Sequence, residues 1–197
     1  RRGTRIAVEG GGMGCCSSCA SPKAQAALEV QGTPPSIGIP SSLRGSKIVT
    51  DDTDPLMVSG EGAALASSPI EQDAAYWEIK VVKAGAIRLG VARKLGPKEL
   101  EGGVKPPKGG GEPGNGRAQR SWCADIALAE GDNVGVAFGQ ADLPNLSFTK
   151  NGKPLPEHDV KKIGGMVYPV FSVGGGACIK VLFESGDFEN EPPRSFS

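Results

Sequence analysis

Tyr76-Trp77-Glu78-Ile79-Lys80-Val81-Val82 is the stretch whose reading decides the fold. Tyr76, Glu78, Lys80 and Val82 fall on one face of an extended chain, and Trp77, Ile79 and Val81 on the other. A period of two with one wholly apolar face is a strand laid on a core. The apolar face points inward, so Trp77 is expected in the core and not as a stacking platform for a ligand.

Working outward, the same pattern recurs on both sides. Upstream, Ser46 to Thr50 is a short strand candidate, closed by the turn Asp51-Asp52-Thr53-Asp54-Pro55. Leu56 to Ser59 and Ala63 to Ala66 follow. Downstream of Gly85, Ala86 to Ala92 sets Ile87, Leu89 and Val91 on one face. Ser121 to Leu128 and Asn133 to Phe138 flank the turn Glu130-Gly131-Asp132-Asn133. Leu146 to Lys150 alternates and meets Asn151-Gly152, a strong hairpin signal, before Lys153-Pro154-Leu155. Val167 to Val173 and Ala177 to Phe183 pair across Gly174-Gly175-Gly176. About ten short strands, with turn signals every 8–12 residues, make an all-β, antiparallel β-sandwich.

Glycine and proline number 30 and 16, nearly a quarter of the 197 residues. A sandwich core is possible only if they are segregated from the apolar residues. Twelve of the 21 residues from 96 to 116 are Gly or Pro. That stretch is expected to be a long exposed loop, without helix or central strand and with almost nothing to bury. Residues 1–42 lack any period and are expected to be a flexible, Cys-containing arm, leaving 43–197 for the sandwich.

Lys plus Arg and Asp plus Glu are 22 each, for a formal charge of zero. This argues against a nucleic-acid partner, which needs a basic field, and against a polybasic membrane surface. No apolar run is long enough for a transmembrane helix. The opening Arg1-Arg2-Gly3 precedes no signal-like apolar run. Residues 1–12, ahead of Met13, are read as upstream residues or the start of a fragment. Five cysteines (Cys15, Cys16, Cys19, Cys123 and Cys178) are odd in number and widely spaced. They fit a reducing, cytoplasmic compartment better than a disulfide framework, and the sequon Asn145-Leu146-Ser147 is then unglycosylated.

No constellation for catalysis stands out. His158, the only histidine, lies between Glu157 and Asp159 in a Pro-rich turn and is expected to be solvated. Cys123 and Cys178 sit in apolar strands and are expected to be inert buried thiols. Gly174-Gly175-Gly176 lacks the Gly-Lys-Ser/Thr ending of a phosphate-binding loop. Cys15, Cys16 and Cys19 offer three thiolates with nothing to complete a tetrahedral metal shell. The expectation is no enzyme, no cofactor and no metal.

Met13-Gly14-Cys15-Cys16-Ser17-Ser18-Cys19 is sharper. With Met13 as initiator, Gly14 becomes a myristoylation site with Ser18 at the required position. One such chain holds a membrane only marginally, and Cys15, Cys16 and Cys19 are candidates for the second, palmitoyl anchor. Lys23 is the only basic residue nearby, so charge cannot replace that anchor. The competing reading is an unmodified arm on a soluble subunit of a larger assembly.

In order, Tyr76-Trp77-Glu78-Ile79-Lys80-Val81, Leu89-Gly90-Val91-Ala92, Glu130 to Val136, Leu146 to Gly152 and Val167 to Val173 resemble the SPRY (B30.2-like) domain. The stretch Ser59 to Ile70, the short chain and the Cys-rich start resemble most the small stand-alone members. The resemblance implies two stacked antiparallel sheets, a concanavalin-like jelly roll, whose edge loops meet a protein or peptide partner. By position the partner-binding candidates are Asp52, Asp54, Arg93, Lys94, Trp122, Asp142, Leu143, Gly174 and Gly175. Arg93 leads them, because Arg is over-represented at interface hot spots. Trp122 borders the Gly/Pro-rich stretch and fits ligand stacking or core equally. Two departures stand out. Ala86-Ile87-Arg88 occupies the place where the family often carries Trp. Gly175 stands where peptide-binding members carry an aromatic, so their peptide motif is not carried over.

Overall fold

The alternation around Trp77 is realised as a ten-residue strand, and Trp77, Ile79 and Val81 are each at most 2% exposed. The computed structural model describes residues 36–106, 119–140 and 144–193. In chain order the strands are β1 (Ile48–Thr50), β2 (Met57–Gly60), β3 (Gly62–Leu65), β4 (Ala74–Lys83), β5 (Ala86–Ala92), β6 (Ser121–Asp125), β7 (Asn133–Gly139), β8 (Asn145–Lys150), β9 (Lys153–Pro154), β10 (Val160–Lys161), β11 (Tyr168–Gly174) and β12 (Cys178–Leu182). One helical turn, α1 (Pro97–Glu101), follows β5.

The larger sheet runs β1-β2-β12-β4-β7-β8-β10, with β9 also on β8, and the smaller runs β3-β11-β5-β6. Every pairing is antiparallel. Trp77, Ile79, Val136 and Phe148 of the larger sheet share one cluster with Ile87, Leu89, Val91 and Phe171 of the smaller. The all-β sandwich is therefore as expected. The Asn151-Gly152 hairpin forms too, with φ of 50° and 75° at its two residues. Ile39 is buried in this cluster, and Ser67 N donates to Gly38 O at 2.8 Å. The packed body thus begins ahead of residue 43.

The Gly/Pro-rich stretch departs from expectation at its start. Residues 97–101 are helical and have an apolar side to bury. Pro97 opens the turn, where its missing N–H costs nothing, and Glu99 Oε2 accepts from Gly96 N at 2.8 Å. Leu100 and Val104 are 2% and 3% exposed. They cover the outer face of the smaller sheet in a second cluster with Leu65, Ala92, Leu95, Cys123 and Val170. Residues 107–118 lie outside the described residues.

The outer face of β4 brings a second surprise. Glu78, expected toward solvent, is 0% exposed. The segment 184–193 crosses it as a strap. Glu78 Oε2 accepts from Glu189 N at 2.7 Å and from Asn133 Nδ2 at 2.9 Å. Its Oε1 accepts from Tyr76 OH at 2.8 Å and from Asn190 N at 3.0 Å. Phe188 meets the Tyr76 ring edge-on at 5.0 Å, and Lys80 pairs with Glu189. Burial and the Glu78 carboxylate push the Tyr76 hydroxyl well above its ordinary pKa. Among the described residues no helix is long and apolar enough to cross a membrane.

Candidate functional site

The register of the smaller sheet separates loops that the sequence placed together. Tyr168 pairs with Ala92 and Gly174 with Ala86. Six residues of strand are about 20 Å. Arg93 and Lys94 therefore lie at one end of the sheet, and Gly174 and Gly175 at the other. The glycines make a tight turn: Gly175 and Gly176 have φ of 61° and 80°, and Ala177 N donates to Gly174 O at 3.2 Å. Asp52 and Asp54 occupy the β1–β2 connection on the edge of the larger sheet. Asp52 is exposed, whereas Asp54 is paired with Lys180 at 2.6 Å. Hydrogen bonds from the Thr53 hydroxyl and amide hold the neighbouring Asp51 carboxyl below its usual range. Asp142 and Leu143 lie outside the described residues, as do Gly14, Cys15, Cys16 and Cys19.

Trp122 is not a surface platform. It faces the core opposite Val91 and is 5% exposed. Its ring is covered by Arg93, whose Cζ lies 5.7 Å from the centroid. Arg93 has a further task. Its Nε and Nη2 donate to Gly164 O at 3.1 and 2.9 Å. The guanidinium is thus engaged within the chain, and a free hot-spot role gives way to a positioning one.

What Arg93 positions is the 162–167 loop. Lys162 and Gly165 adopt φ of 61° and 83°. A side chain at Gly165 would be strained at that φ, and its Cβ would sit 3.4 Å from the guanidinium. The loop is anchored on both flanks: Ile163 and Val167 are buried, and Ile70 N donates to Val167 O at 2.8 Å. Between these anchors Met166 stands 62% exposed, the most exposed of the large apolar side chains among the described residues. Its sulfur lies 4.0 Å from the half-buried Tyr168 hydroxyl. Ile37, 37% exposed, joins the same end through Gly38–Ser67 and through Ala66 N, which donates to Pro169 O at 3.0 Å. Sequence reasoning missed Met166. The available signal was a lone Met directly after Gly164-Gly165 and before the Tyr-Pro-Val strand.

The titratable groups offer little chemistry. His158 is half-buried, with only Glu157 at 4.0 Å as an acidic partner. Burial pushes the Cys123 thiol up to about 12, so it holds no thiolate at neutral pH. Cys178 is half-buried and not fully buried as expected, because it starts β12 next to the Gly174–Gly176 turn; its pKa is also raised by burial. Among the described residues no three His, Cys, Asp or Glu side chains converge to hold a metal ion.

A family model for the SPRY domain matches residues 74–186. SPRY domain-containing protein 7 of Homo sapiens and of Bos taurus are each 29% identical over 145 residues, covering 71% of this chain and 71% of theirs. These are the small stand-alone type that the sequence resembles. In fold, the crystal structure of the TRIM65 PSpry domain is similar, with a TM-score of 0.53 at 12% identity, covering 75% of this chain and 92% of that one.

Proposed function

The chain belongs to the SPRY domain family, whose members generally act as protein-interaction modules, and from that premise we propose that it is a non-catalytic adaptor working through the Met166 end of the sandwich. One observation carries this reading: an apolar side chain is held 62% exposed on a loop whose flanks are buried. Held that way, the loop backbone needs no reordering on binding, and Met is enriched at interface cores. The Tyr168 hydroxyl lies beside its sulfur, and Arg93 keeps the loop in place.

Met166→Asp is expected to leave the unfolding free energy within about 0.5 kcal/mol of wild type in urea and to remove partners from an affinity capture. Arg93→Ala loses about 1–2 kcal/mol of stability and weakens the same captures in part. Partner lists unchanged in both variants would reject the surface.

The proposal includes the arm. Gly14 carries myristate and Cys15, Cys16 or Cys19 a palmitoyl chain, fastening the module to the cytoplasmic face of a membrane. Met13-Gly14-Cys15-Cys16 with Ser18 supports this. Metabolic labelling with an alkynyl myristate is expected to mark the wild type and not Gly14→Ala. Equal labelling favours the other reading, a soluble subunit with an unmodified arm.

A further inference from the structure

The outer face of the larger sheet carries a groove of about 490 Å³. Its origin lies in how β8 is paired. On that edge β10 meets β8 only at Asn145 and Leu146, and β9 only at Thr149 and Lys150. Between them residues 155–159 swing away through the 3-10 turn Pro156–His158. Leu155 N still donates to Phe148 O at 2.8 Å, so the swing starts from a fixed point. Pro154, Leu155 and Pro156 line the groove, together with Pro193 from the strap. Three of these four are prolines, whose φ is already restricted, so the walls are stiff.

Among the described residues that line this groove, Asp73 and Asp159 carry charge and no Lys or Arg does. The Asp159 carboxyl is raised above its usual range, mainly by burial, although Lys161, the Ser147 hydroxyl and the Phe148 amide pull the other way. Both carboxylates are exposed at the mouth of the groove, so a cation brought beside them gains a charge-assisted contact with solvent still near. Apolar walls with two acids among the described lining residues complement an apolar side chain that carries a cation next to it.

We propose that this groove binds an extended peptide segment of a partner protein in which an apolar residue adjoins an Arg or Lys. The volume suits it, since sites for small ligands span roughly 300–1,000 Å³. The site is separate from the Met166 loop, so each can fail without the other.

The test is a titration of the full chain, labelled with 15N, followed by NMR. The probes are acetyl-Ala-Leu-Arg-Ala-amide and its citrulline counterpart, equal in shape and uncharged. The Arg peptide is expected to shift the amides of Ser147, Thr149, Leu155 and Asp159 saturably, with a Kd about threefold tighter than the citrulline peptide, the scale of an exposed ion pair. Asp73→Asn, at an exposed position, reduces that preference, and adding Asp159→Asn abolishes it while the spectrum stays folded. Equal Kd values, no shifts at these amides, or a preference surviving both substitutions would overturn the proposal. So would shifts of the same amides with protein concentration alone, which would give the groove to a second copy of this chain.

Discussion

Glu78→Ala lowers the unfolding free energy by about 4 kcal/mol, seen as a fall in the urea midpoint at unchanged slope. The carboxylate is 0% exposed and accepts four hydrogen bonds, from Tyr76, Asn133 and the amides of Glu189 and Asn190. Truncation orphans all four donors at once. Each orphaned buried donor costs about 1–3 kcal/mol. The sum is not reached, because the strap loosens and admits water to some of them. Glu78→Gln keeps the shape but turns an amide N–H₂ toward a donor, and loses about 2 kcal/mol. Tyr76→Phe removes one donor only and loses about 1 kcal/mol. A loss below about 1 kcal/mol for Glu78→Ala would mean that the strap is not held by this residue.

Gly90→Ala loses about 3 kcal/mol. A Cβ at Gly90 would lie 2.1 Å from Trp122 O and 2.6 Å from Cys123 Cα. Both are backbone atoms, so no rotamer change relieves the contact. The strand cannot move aside either, since β5 is held between β11 and β6. The clash must open the β5–β6 pairing at the point where Trp122 enters the core. Gly186→Ala is the matched control: its Cβ meets nothing within 4 Å, and the unfolding free energy stays within about 0.5 kcal/mol. Thermal or urea unfolding of the two variants side by side decides the point. Equal stabilities would show that the β5–β6 pairing relaxes freely around an added methyl.

The fold was readable because strands announce themselves locally. Trp77, Ile79 and Val81 alternate with polar neighbours, and Asn151-Gly152 encodes its own turn. Alternation states which residues share a face. It does not state what covers that face. Glu78 has the spacing of a solvent-facing residue, and only a segment 111 residues later buries it. Leu100 and Val104 looked stranded among glycines because the sheet they cover is built from β3, β5, β6 and β11, scattered along the chain. The same limit applied to the site. Arg93 was visible as a residue of the right type at a loop, but its bond to Gly164 spans 71 positions and could not be read locally. Trp122 was left open for the same reason. Met166 had no periodic pattern to mark it, since its importance lies in being the exposed residue between two buried anchors.

The strand order has a consequence for how the chain is made. β11 sits between β3 and β5 in the smaller sheet, and β12 between β2 and β4 in the larger. Until residues 168–182 have left the ribosome, each sheet exists only as two separate pieces. Hairpins such as β7–β8 can close during translation, but their apolar faces have no complete opposing sheet to meet. The strap that satisfies Glu78 arrives later still. The nascent chain therefore carries exposed strand edges until β11 and β12 emerge, the period in which folding helpers are needed most. The two sheets are joined when the two central strands emerge, and the strap then seals Glu78.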